Sequence, residues 1–89
     1  MPRFEHNSET FGYINLEAMD GAQKALKLLG HDPGTLDGKM GPNTERAVRS
    51  FQASVTIKID GIVGPETRQA LMDSLSQRAS ASATPAGNS

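Results

Sequence analysis

The stretch DGKMGPNTERAV, from Asp37 to Val48, is written again as DGIVGPETRQAL, from Asp60 to Leu71. The copies lie 23 residues apart and six of their twelve positions are identical. Each copy dictates local structure. An Asp followed by Gly makes a turn, because Asp bonds its own backbone two residues on and Gly accepts a positive φ. The Gly-Pro pair then starts a helix, with Pro at the first helical position, where its missing N–H is no loss. Beyond it, Thr44, Ala47, Val48 and Phe51 mark one helical face, and Thr67, Ala70, Leu71 and Leu75 mark another. A chain that builds two helices with one entrance and one inner face needs a third element to close a core. Two units are too few for a solenoid.

That third element is a helix over about Glu17 to Leu29, with Met19, Ala22, Leu26 and Leu29 on one stripe. Gly30 sits where a left-handed C-terminal residue is wanted. Gly21 lies inside the first turn at a cost of about 1 kcal/mol relative to Ala. The expected fold is therefore all-α: a compact three-helix bundle over 17–77 with two pseudo-repeated loop–helix units. Leu36 and Ile59, just before the two Asp-Gly turns, are expected to plug the loops onto the core.

The flanks differ in composition. Residues 1–16 hold Phe4, Phe11 and Tyr13, three of the four aromatics, with no helical or strand period. This arm either covers the small core or docks on a protein partner through those three side chains. Residues 78–89, RASASATPAGNS, are small and polar and read as a flexible tail.

Composition excludes several classes. Without cysteine there is no disulfide framework or thiolate metal cluster. Two histidines, His6 and His31, lack metal-ligand spacing, so neither a metal nor another cofactor is expected. No acidic pair suggests a poised acid and base, and a bundle this small offers little volume for a substrate pocket. No enzyme activity is expected. A net charge of −1, with nine Lys and Arg against ten Asp and Glu, speaks against nucleic acid as partner. The mixed-sign faces carrying Glu45, Arg46, Arg49, Glu66, Arg68 and Asp73 speak against a helix-turn-helix DNA reader. Membrane insertion is not expected, because no apolar run approaches a membrane span. The first residues lack the pattern of a Sec signal, so the chain is expected to be made in the cytoplasm.

The segments AQKALKLLGHDPGTLDGKMGPNTERAVRSFQ and IKIDGIVGPETRQAL together resemble the peptidoglycan-binding domain family of small three-helix modules on cell-wall hydrolases. The resemblance covers about Leu16 to Leu75. It rests on the leucine-glycine helix end, the Pro-Gly turn, both Asp-Gly-x-x-Gly-Pro-x-Thr motifs and Phe51-Gln52 between them. It implies a non-catalytic module that binds the glycan or stem peptide of peptidoglycan. With no hydrolase domain in this chain, such a module acts in trans, on a phage or injection particle that carries it to the wall. The competing reading is a structural or docking subunit that uses the fold without glycan binding.

Two departures from the family pattern lean toward that alternative. Thr56 stands where a glycine commonly ends the second helix, and it predicts a reshaped end, extended or strand-like through 55–59. His31 stands where tyrosine is common. Turn and cap chemistry accounts for the motif residues as scaffold. On the binding reading, Asp37, Asn43, Thr44 and Arg46 contact the wall, and Arg49 pairs a stem carboxylate.

Overall fold

The computed structural model describes residues 4–83. Five elements follow in order: β1 (Glu5–Ser8), β2 (Gly12–Asn15), α1 (Met19–Leu28), α2 (Pro42–Ser54) and α3 (Pro65–Ala83). The three expected helices are present, but the fold is not all-α. The arm is an antiparallel β-hairpin, registered Glu5 to Asn15, His6 to Ile14, Asn7 to Tyr13 and Ser8 to Gly12. Each strand spans four residues and sends one side chain fully inside, His6 from β1 and Ile14 from β2. That is too short a run for a period of two to stand out.

The hairpin is part of the core. Ile14 and Leu16 are buried with Ala22, Leu26, Val48, Phe51, Leu71 and Leu75, and Phe4 and Phe11 pack partly buried against this cluster. The Leu16 N–H donates to the Phe4 carbonyl at 2.6 Å, and Arg68 on α3 donates through Nε to the Leu16 carbonyl at 2.9 Å. Gly21 has a packing reason that outweighs its helix penalty. A Cβ there would run into the carbonyl oxygen of Asn15, where the end of β2 lies against α1.

α3 continues past Gln77, the expected boundary, to Ala83, so 78–83 are helix and not tail. The cause is a longer stripe: Leu71, Leu75 and Ala79 are all buried, and α3 packs against β1 as well as α1. Residues 84–89 of the expected tail lie outside the described residues.

α1 and α2 end alike. His31 N–H reaches the Leu26 carbonyl at 2.8 Å and Gly30 N–H the Lys27 carbonyl at 3.1 Å. Ile57 N–H reaches the Gln52 carbonyl at 3.1 Å and Thr56 N–H the Ala53 carbonyl at 3.3 Å. This is the Schellman pattern, which needs a left-handed residue after the cap. Gly30 supplies it at φ 92°, and Thr56 adopts it at φ 61° despite its branched side chain. The expected reshaping of 55–59 does not occur.

Candidate functional site

Each copy of the motif is folded around one buried glutamine. In the first, Gln23 of α1 is fully buried. Its Nε2 lies 2.9 Å from the Lys39 carbonyl, 3.0 Å from Thr44 Oγ1 and 3.4 Å from Asp37 Oδ1, while its Oε1 accepts from Gly38 N–H at 2.8 Å. In the second, Gln52 of α2 does the same. Its Nε2 lies 2.8 Å from Asp60 Oδ1, 2.9 Å from Thr67 Oγ1 and 3.2 Å from the Ile62 carbonyl. Its Oε1 accepts from the N–H groups of Asp60 and Gly61 at 3.1 and 3.0 Å.

The two networks explain the residue types of the motif. Gly38 and Gly61 stand at φ 77° and 72°, a region that favours glycine, and this aims their N–H groups at the glutamine oxygen. The Asp closes its own turn: Asp37 Oδ1 accepts from Lys39 N–H, and Asp60 Oδ1 from Ile62 N–H, both at 2.9 Å. These backbone bonds, with the glutamine amides, hold both carboxyl groups below the ordinary aspartate range. The Thr hydroxyl completes the set, Thr44 donating to the Pro33 carbonyl at 3.3 Å and Thr67 to the Ile62 carbonyl at 3.2 Å. Among the described residues no buried side-chain polar atom lacks a partner.

The expected contact residues separate into two groups. Asp37 and Thr44 belong to the Gln23 network, and Thr44 is buried, so its side chain faces inward. Asn43, Arg46 and Arg49 are exposed on the first two turns of α2. Arg49 is paired with Glu45 one turn back, at 3.2 Å. Asn43, but neither arginine, lines an open depression of about 360 Å³, together with Thr35, Asp37, Lys39, Met40 and Pro42 among others. Leu36 and Ile59, expected to plug the core, are 40% and 51% exposed. The loop side chains that are buried instead include Pro33, four positions before the first Asp, and Val63, three positions after the second. Of the arm residues, Phe4 and Phe11 pack on the core, while Tyr13 stands outward with its hydroxyl donating to Glu5 Oε2 at 3.0 Å.

The model of the family described as "Putative peptidoglycan binding domain" matches residues 15–71, which hold α1, α2, both motifs and the start of α3. The chain belongs to this family. The peptidoglycan-binding domain thus contains both glutamine networks whole, and β1 lies outside the matched segment. The chain is also similar to a curated protein of Synechocystis sp., "Putative OxPP cycle protein OpcA", at 36% identity over 62 residues. That match covers 70% of this chain and 13% of the relative's length. Among the described residues, no helix is long and apolar enough to cross a membrane, and no group of three or more His, Cys, Asp or Glu side chains could hold a metal ion.

The sequence reading missed Gln23 and Gln52 as organisers and His6 as a buried residue. A signal for the glutamines was available. Each lies on the helix before its motif, next to an apolar residue of the inner face, as Ala22-Gln23 and Phe51-Gln52. A polar residue at the edge of an apolar stripe, followed by a turn rich in backbone donors and acceptors, is the pattern to look for. His6 offers no comparable signal. Its Nε2 bonds Ser8 Oγ at 2.8 Å and its ring packs 5.8 Å from that of Phe11, contacts made only when the hairpin closes.

Proposed function

We propose that this domain is a non-catalytic binding module for peptidoglycan, which it meets through the outer surface of the first repeat. The observation that carries this reading is the family match over residues 15–71. The division of labour within the motif supports the location. Asp37 and Thr44 are engaged inside by Gln23, whereas Asn43 lines the open depression near Lys39 and Met40, and Arg46 and Arg49 are exposed further along α2. Asn43 offers amide donors and an acceptor to sugar or stem-peptide amides, and the two arginines offer forked donors to a carboxylate.

The finer reading, a module acting in trans on a phage or injection particle, draws on the resemblance to the family. A protein partner for the arm would meet Tyr13 on the outer face of the hairpin, since Phe4 and Phe11 are turned to the core.

Co-sedimentation with insoluble sacculi tests the proposal. Asn43→Ala and Arg46→Ala are the informative variants, because neither side chain supports a glutamine network. Saturable retention of the wild type, weakened in either folded variant, supports the reading. A protein that stays in the supernatant at low salt overturns it.

A further inference from the structure

We propose that the groove formed by the C-terminal ends of α1 and α2 with the outer half of α3 is a subsite for an N-acetylated sugar unit, entered by its acetamido group; this rests on the wall-binding reading above. The groove has a volume of about 520 Å³ and lies away from the first-repeat depression. That volume is within the ~300–1,000 Å³ typical of small-ligand sites. Its floor is apolar, made by Leu29, Phe51 and Val55, and its walls carry His31, Ser54, Ser74, Gln77 and Arg78.

An acetamido group needs a methyl-sized apolar contact, one acceptor for its N–H and one donor for its carbonyl. The floor offers the first. The serine hydroxyls and the Gln77 amide offer acceptors, and Gln77 and Arg78 offer donors. His31 is held in place by Nδ1 against Ser50 Oγ at 3.0 Å and edge-on to Phe51 at 5.7 Å, which leaves its Nε2 side for a ligand.

Charge decides between a sugar and a stem carboxylate here. The caps of both helices, Leu29 and Val55, line the groove. Each helix C-terminus carries roughly half a negative charge. Among the described residues Arg78 is the one charged side chain on the walls, and the two helix ends together offset it. Burial and the neighbouring Arg78 keep the His31 imidazole below its ordinary range, so it adds no charge at neutral pH. A near-neutral groove with an apolar floor suits a neutral amide-bearing sugar better than an anion.

Titration of the full chain with chitotetraose, an N-acetylglucosamine oligomer, and with cellotetraose, which lacks the acetamido groups, tests the assignment by heteronuclear NMR. The expected result is saturable shifts at residues 29–31, 54–55 and 77–78 with chitotetraose, and affinity at least ~10-fold weaker for cellotetraose, the equivalent of one charge-assisted hydrogen bond. Arg78→Ala should weaken chitotetraose binding to a similar degree, and Glu66→Ala, on the exposed first turn of α3, should leave it unchanged. Equal response to both sugars, or no response at the groove, overturns the subsite. Sacculus retention measured in parallel separates the two ideas. A protein retained on sacculi yet blind to chitotetraose loses only the subsite, and one that fails both loses the wall-binding reading as well.

Discussion

Gln52 has no route to solvent, and every polar atom it carries is used: the amide serves a carboxylate, a hydroxyl and a carbonyl, and the oxygen accepts from two backbone N–H groups. Replacing it with leucine fills the same space but leaves several buried groups unpaired. Each unsatisfied group costs about 1–3 kcal/mol, so Gln52→Leu should lose on the order of 3 kcal/mol. For a domain of this size that is a fall in melting temperature of about 15 °C, readable by thermal denaturation. The aspartates of the same networks predict the acid limb of stability. Their folded-state pKa values are lowered, first by the backbone N–H of Lys39 for Asp37 and of Ile62 for Asp60. Lowered carboxylates contribute stability that is full above the ordinary aspartate value, about 3.9, and is lost as pH falls through the folded value. Burial also lowers His6 and His31, so an earlier loss should begin as pH falls below about 6.5. Melting temperature against pH should therefore step down twice. Asp60→Asn keeps the side-chain oxygen as acceptor but cannot be protonated, so it should shrink the lower step to the Asp37 share and leave the upper one unchanged.

At the scale of elements, the end of α2 holds the least favourable backbone residue the structure reveals. Thr56 sits in the left-handed region, where a non-glycine residue costs about 1–2 kcal/mol. Thr56→Gly should raise stability by about 1 kcal/mol, with the hydrogen bond from Ile57 N–H to the Gln52 carbonyl kept. A calorimetric melting curve checks the sign. The helices themselves were legible in the sequence because Gly-Pro entries and 3.6-residue stripes are local signals, and both motif helices begin where those signals put them. The hairpin was not. Its strands take their meaning from tertiary partners, with Ile14 on the core and Arg68 bonded to the Leu16 carbonyl from more than fifty residues away. The length of α3 was hidden for a related reason, since Ala79 counts as apolar stripe only once β1 lies beside it. Of the candidate site, the exposed Asn43, Arg46 and Arg49 were legible from helix phase, while the inward turn of Thr44 required the position of Gln23.

Over the whole molecule, the repeated motif acts twice as internal architecture: a glutamine on one helix organises the loop that starts the next. The hairpin closes the side that two repeats and α1 leave open. A core this small gains from both, because every added buried side chain counts when net stability is only a few kcal/mol. The outer surfaces, the depression by Asn43 and the groove by Arg78, are the ones we propose for binding. The central claim is that scaffold and binding surface are separate residues of one wall-binding domain. The measurement that tests it most directly is a sacculus-binding isotherm at a temperature where wild type, Gln52→Leu and Asn43→Ala are all folded. The account predicts saturable binding of the wild type, near-unchanged affinity for the destabilised Gln52→Leu, and weakened affinity for the stable Asn43→Ala. Affinity that follows melting temperature across the three, or no saturable binding at all, would contradict it.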